Sequence, residues 1–219
     1  MGAFDGQIVL ITGASRGFGF AAASALANEG ATIIAVARTT GGLEELDDAV
    51  QVNGGQATLV PLDITDDAGL QRMCISINER WGGINLWVHS AVYTAPLAPT
   101  GHVSENDLDK SIAVNLRASQ RLITMIDPLL KAKNGAAVHI DDPQAGKKFF
   151  AAYGSTKAGQ KALFDGWAAE SVSTGPRVRS YTPAPMPTAT RARFYPGEDK
   201  GALSAPSVEA ERFVSWLKK

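Results

Sequence analysis

Tyr153 and Lys157 stand four positions apart within Ala151–Ser171, a stretch that reads as helix. At that spacing two side chains share one helical face. A lysine cation beside a tyrosine favours the phenolate and lowers the phenol's pKa, which makes the tyrosine a usable general acid or base. A second cluster lies near the N-terminus, Thr12-Gly13-Ala14-Ser15-Arg16-Gly17-Phe18-Gly19, between an apolar run and an alanine-rich one. Glycines there let backbone approach a pyrophosphate, and the free N–H groups of the next helix attract that anion. The pattern predicts a phosphate-binding turn in which Gly13, Ser15, Arg16, Gly17, Phe18 and Gly19 surround the ligand. Glycines alone would also fit a plain tight turn.

Short apolar strands and helices alternate along the chain. Strands are predicted at Gln7–Ile11, Ala31–Ala37, Ala57–Leu62, Ile84–His89, Ala136–Ile140 and Arg177–Tyr181. Helices are predicted at Gly17–Glu29, Gly42–Val52, Asp66–Arg80, Ser104–Lys133 with a bend near Pro128, Ala151–Ser171 and Ser207–Leu217. That order implies an α/β fold, a doubly wound parallel sheet of about six strands with helices on both faces. Pro183, Pro185, Pro187, Pro196 and Pro206 mark Thr182–Pro206 as a loop. With 219 residues, 45% of them hydrophobic, the chain suits a single domain over 1–219. A net charge of −1 gives no electrostatic case for nucleic acid or an anionic membrane. Cys74 is the lone cysteine, no apolar run is long enough to span a bilayer, and residues 1–7 lack a basic start followed by an apolar stretch. The expected location is the cytoplasm. His89, His102 and His139 are scattered, so no metal site is expected, and His139 reads as an ordinary strand residue.

The Thr-Gly-x-x-x-Gly-x-Gly spacing at Thr12–Gly19 resembles the fingerprint of the short-chain dehydrogenase/reductase family. The resemblance continues through Asp63-Ile64, Trp81–Val88, Val114-Asn115-Leu116, Tyr153-Gly154-Ser155-Thr156-Lys157, and Pro183 with Thr188. Thr188–Ala192 followed by Phe194–Asp199 is similar to one bacterial branch of that family. The resemblance implies a Rossmann-type fold, a nicotinamide dinucleotide cofactor and a small-molecule carbonyl or alcohol substrate. It implies that Asp63 and Ile64 contact the adenine, that Ser90, Ala91, Pro183 and Thr188 line the cofactor, and that Lys157 also bonds the nicotinamide ribose. Asn115 would hold a water of the proton relay. It also implies a homodimer through Ser104–Lys133 and Ala151–Ser171. At the end of the second predicted strand, NAD-specific enzymes of this fold place an acid for the ribose hydroxyl. This chain has Ala37-Arg38 instead. Arg38, joined by Arg16, suits a 2′-phosphate and favours NADP(H). A solvated surface arginine is the plainer alternative.

The chain departs from the family at three places. No serine or threonine lies between Gly135 and Tyr153, and alignment puts Asp142 where the family has its carbonyl-binding serine. An ionised carboxylate cannot donate a hydrogen bond, and it would repel a developing alkoxide and raise the tyrosine pKa. Lys147 and Lys148, in the same loop, could supply charge instead. The family's Asn-Asn-Ala-Gly reads His89-Ser90-Ala91-Val92, with Val92 adding a side chain near the cofactor path. The family's last strand is not found in the sequence. The expected function is therefore an NADP(H)-dependent carbonyl reductase or alcohol dehydrogenase impaired by Asp142. The alternatives are a non-catalytic NADP(H)-binding sensor or scaffold, and a structural subunit without cofactor.

Overall fold

A computed structural model describes residues 2–219. Six strands form one parallel sheet: β1 (Ile8–Thr12), β2 (Thr32–Ala37), β3 (Gln56–Pro61), β4 (Leu86–His89), β5 (Ala136–Ile140) and β6 (Arg177–Tyr181). Their order across the sheet is β3-β2-β1-β4-β5-β6. The direction of winding reverses between β1 and β4, which opens a crevice at the C-terminal ends of those strands. Alternate residues along each strand face opposite layers. Val9, Ile11, Ile33 and Val88 pack under α1 (Gly17–Asn28), α2 (Thr40–Val52) and α8 (Pro206–Leu217). Leu10, Ile34, Trp87 and Ala137 pack under α3 (Asp67–Trp81), α5 (Ala118–Lys131) and α6 (Ala151–Glu170). Burial from both sides is why these strands read as nearly unbroken apolar runs. The expected doubly wound sheet of six strands is the one observed.

Two stretches depart from expectation. The long helix predicted over Ser104–Lys133 consists of α4 (Glu105–Ser111), a π-helical segment at Ile112–Arg117, and α5. The irregularity therefore lies around Asn115, and Pro128 sits inside α5 near its end. The proline-rich span expected as loop contains a short helix, α7 (Ala189–Phe194), whose first turn is capped by Thr188 Oγ1 accepting from Arg191 N at 3.2 Å. Its last residue, Phe194, is buried against Phe150 and Tyr153. Single prolines outside α7 do not prevent a short turn of helix between them.

The turn between β1 and α1 is a place where backbone meets backbone. Gly13 has φ +86°, and a β-carbon there would sit 2.6 Å from Ala91 N. A β-carbon on Gly19 would collide with the Gly13 carbonyl. Gly19→Ala should therefore lower the unfolding free energy by about 1–3 kcal/mol in urea titrations. Gly41, on α2 with nothing near its missing side chain, serves as the control. Gly41→Ala should leave stability unchanged or slightly higher.

Candidate active site

A cleft of about 840 Å³ runs along the C-terminal edge of β1, β4 and β5. One end is built from the glycine turn. Gly13, Ser15, Arg16, Gly17 and Phe18 line it, joined by Arg38 from the end of β2. The α1 N-terminus has no side-chain cap and no acid in its first turn, so its positive dipole end faces an anion site without competition. Asp63 and Ile64 follow β3, Ser90 and Ala91 follow β4, and Pro183 and Thr188 follow β6; all line the same cleft. Gly19 lies beneath Gly13 and does not line it. Asp63 Oδ1 accepts from Thr65 N and Oγ1, while its Oδ2 is 3.7 Å from Arg38 Nη1. Arg38 is 60% exposed, and so loose an exposed pair leaves its guanidinium available to a ligand.

The other end holds Asp142, Tyr153 and Lys157. On α6 the residues Tyr153, Lys157, Gln160, Phe164 and Trp167 recur at three-and-four spacing, and all are buried against the sheet. Lys157 Nζ donates to Ile140 O at 2.7 Å and Gln160 Oε1 at 2.6 Å, and it lies 3.0 Å from His139 Nε2. Gln160 Oε1 also lies 2.9 Å from His139 Nε2, so that nitrogen either accepts from Lys157 or donates to Gln160, according to its tautomer. His139 Nδ1 lies 3.4 Å from Ser180 Oγ. The parallel register places His139 beside His89. Gln160 Nε2 donates to His89 Nε2 at 3.1 Å and to Ser119 Oγ at 2.8 Å. His89 Nδ1 in turn meets Thr12 Oγ1 at 2.7 Å. Phe164 lies flat over both imidazoles, 5.7 and 4.8 Å between centroids. Burial, and then the Lys157 charge, push His89 down to about 3 and His139 down to about 2, so both rings are neutral. Burial pulls Lys157 down to about 8 against the opposing pull of Asp141 and Asp142.

These contacts correct three expectations. Lys157 makes no hydrogen bond to the Tyr153 hydroxyl; its ammonium is held by the Ile140 carbonyl and Gln160. Tyr153 donates instead to Asp142 Oδ2 at 2.9 Å. Its pKa is raised well above the ordinary phenol value, first by burial, then by the Asp142 charge and hydrogen bond, then by Asp141. The expected lowering by lysine is thus reversed. Asn115 does not line the cleft. Its Oδ1 accepts from Tyr93 N at 2.7 Å, and its Nδ2 donates to Tyr93 O and Thr156 Oγ1, both at 3.0 Å. Its amide staples the loop after β4 to α6, and both amide hydrogens are taken, so it has none to give a relay water. His139, expected as an ordinary strand residue, is a hydrogen-bond partner of Lys157 or Gln160.

The rim also differs from the sequence picture. Phe194 of α7 meets Tyr153 edge-on, 4.8 Å between centroids, and Tyr153 is only 3% exposed. Arg191 pairs with Glu198 at 2.5 and 2.6 Å, and Arg193 donates to the Thr94 carbonyl. Val92 lines the cleft and packs against the same aromatic cluster. Lys147 lines the cleft, whereas Lys148 lies over the Phe149 ring. Among the described residues, no three His, Cys, Asp or Glu side chains are placed to hold a metal ion, and no helix is long and apolar enough to cross a membrane.

The family model described as short chain dehydrogenase matches residues 7–199. The chain belongs to the short-chain dehydrogenase family. Within it, a D-threitol dehydrogenase from Mycolicibacterium smegmatis is 32% identical over 204 residues, covering 91% of this chain and 77% of its own. A ketoacyl reductase from a Nostoc species is 30% identical over 187 residues, and the chain spans 64% of that protein's length. A Pseudomonas syringae structure described as a short chain dehydrogenase superposes with a TM-score of 0.89 at 27% identity, covering 94% of this chain and 86% of that one. A metagenomic short-chain oxidoreductase in complex with NADP superposes with a TM-score of 0.83 at 23% identity, over 99% and 92% of the two chains.

The buried lysine has a measurable consequence. Its pKa is lower folded than unfolded, so between about pH 8 and 10 the unfolded chain binds the extra proton and stability rises with pH. The rise attributable to Lys157 is on the order of 3 kcal/mol. Lys157→Met should flatten it, as read from urea unfolding at a series of pH values.

Proposed function

We propose that the chain is an NADP(H)-dependent oxidoreductase. One observation carries this reading: a single cleft joins the uncapped helix terminus, Arg16 and Arg38 at one end to Tyr153, Asp142 and Lys157 at the other. The first end fits a dinucleotide. Gly13 and Gly17 keep side chains away from the turn, the α1 terminus faces the pyrophosphate, and Arg16 and Arg38 offer donors to a 2′-phosphate. Asp63 and Ile64 would hold the adenine, and Ser90, Ala91, Pro183 and Thr188 would flank the rest. A bound reduced nicotinamide would supply a hydride to a small substrate beside Tyr153.

Carbonyl reduction at this site is impaired. The Tyr153 hydroxyl points at Asp142, and Asp142 presents an acceptor where a carbonyl oxygen needs a donor. Losing one donor aimed at a developing oxyanion typically costs about 10²–10³ in rate. Phe194 closing over Tyr153 favours a second reading, a non-catalytic NADP(H) sensor.

Fluorescence titration should give tighter binding of NADPH than of NADH, and Arg38→Asp should weaken NADPH far more than NADH. Equal affinities in the unmutated chain would remove the basis for NADP(H). Asp142→Ser should raise turnover of a simple ketone at neutral pH by about tenfold or more. A folded Asp142→Ser protein that binds NADPH and reduces nothing would favour the sensor.

A further inference from the structure

Carbonyl chemistry leaves Asp142 without a constructive role. Its Oδ2 accepts from the Tyr153 hydroxyl at 2.9 Å and its Oδ1 from Gln144 Nε2 at 2.5 Å, both neutral donors. Among the described residues, no lysine, arginine or histidine nitrogen lies within 4 Å of it. The neighbouring cations are engaged elsewhere: Lys157 by β5 and Gln160, Arg191 by Glu198, and Arg193 by the Thr94 carbonyl. Lys147 lines the cleft without a carboxylate partner, and Asp141 adds a second negative charge beside Asp142. Both hydrogen-bond partners of the Asp142 carboxylate are thus neutral, and Lys157 and Arg191 act on it only at longer range. Aromatic rings line the same space: Tyr153 and Phe194, with centroids 4.8 Å apart, and Tyr195, over which the Arg191 guanidinium lies 4.5 Å from the ring centroid. A carboxylate flanked by aromatic rings attracts an organic cation through its charge and the ring quadrupoles.

We propose that the preferred substrate is a cationic C=N compound, a protonated cyclic imine, which is reduced to the secondary amine. This rests on the NADP(H)-dependent reading above and names its substrate class. The iminium N–H donates to Asp142, whereas a neutral carbonyl oxygen in the same place would face a second acceptor. The proton requirement points the same way. A carbonyl becomes an alcohol only by taking a proton, and Tyr153 holds its own against Asp142. An iminium already carries that proton. Its carbon receives a hydride from the reduced nicotinamide dinucleotide, the C–H bond forms, and the C=N π pair becomes the nitrogen lone pair. The products are the neutral amine and the oxidised dinucleotide, with no proton drawn from Tyr153. The free amine takes its proton from water. Because the cation loses charge along this path, Asp142 holds the substrate more tightly than the transition state. Its removal should raise KM and leave kcat unchanged or higher.

The test uses the full chain with a matched set of probes: tetrahydroisoquinoline as the cationic amine, dihydroisoquinoline as the imine and tetralone as the ketone. Calorimetry with NADP⁺ present should show the amine binding. Asp142→Asn, checked for folding by circular dichroism, should weaken that binding by about tenfold to a hundredfold. With NADPH, the unmutated chain should reduce the imine faster than the ketone. Asp142→Asn should raise KM for the imine, and Asp142→Ser should reverse the preference. NADPH binding with ketone reduced in preference to imine, or amine affinity unchanged in Asp142→Asn, would overturn this inference and leave the oxidoreductase reading intact. No NADPH binding at all would overturn both.

Discussion

Lys157 carries an ammonium group into the interior of the sheet with no carboxylate bonded to it. An isolated charge in that position would be prohibitive, so every one of its hydrogens must find an acceptor. The fold meets this through a continuous polar layer between the sheet and α6. Ile140 and Gln160 receive the lysine beside His139, and Gln160 passes the chain of hydrogen bonds to Ser119 and to His89, which meets Thr12. Three strands and two helices are joined by these contacts. Each histidine must stay neutral for the pattern to hold, and burial ensures that it does. A half-satisfied version of such a layer would be worse than an apolar core, which is the reason its geometry is tightly constrained.

With Lys157 held by this layer, the charge that governs Tyr153 is that of Asp142. Burial first, and then the carboxylate, keep the phenol protonated, and the carboxylate turns its hydrogen away from any oxygen a substrate could offer. An acid–base site for neutral carbonyls needs the opposite arrangement. The same two side chains form a receptor for a positive charge, and the ring of Phe194, packed on Tyr153, adds a wall. Specificity here is a matter of sign: one carboxylate repels a developing alkoxide and attracts an iminium.

The architecture was legible because its signals are local. Apolar runs of four to six residues, the glycine turn after β1, and Asp66 capping α3 each declare an element within a short window. Alignment by motif also brought Asp142 opposite Tyr153. The polar layer was not legible, because it depends on register. His89 and His139 are fifty positions apart, and only the parallel pairing of β4 with β5 makes them neighbours. A signal was available in hindsight: each ends or nearly ends an apolar strand, and Gln160 lies on the Tyr153–Lys157 face of α6. Asn115 was assigned by its motif, yet its amide is held by Tyr93 and Thr156, contacts that a sequence pattern cannot contain. The prolines around Phe194 make it read as loop in the sequence, and burial of its ring against Tyr153 is a tertiary effect.

The ionisation of Tyr153 tests the central claim most directly. Carbon-13-labelled tyrosine, with the Tyr153 resonance assigned by its loss in Tyr153→Phe, can be followed by NMR as pH is raised. If Asp142 controls the site, the Tyr153 resonance stays that of the protonated phenol after an ordinary exposed tyrosine has ionised, and Asp142→Asn moves its ionisation to lower pH. If Tyr153 ionises first, near neutral pH, then Lys157 controls the phenol after all, and the site is one for carbonyl chemistry.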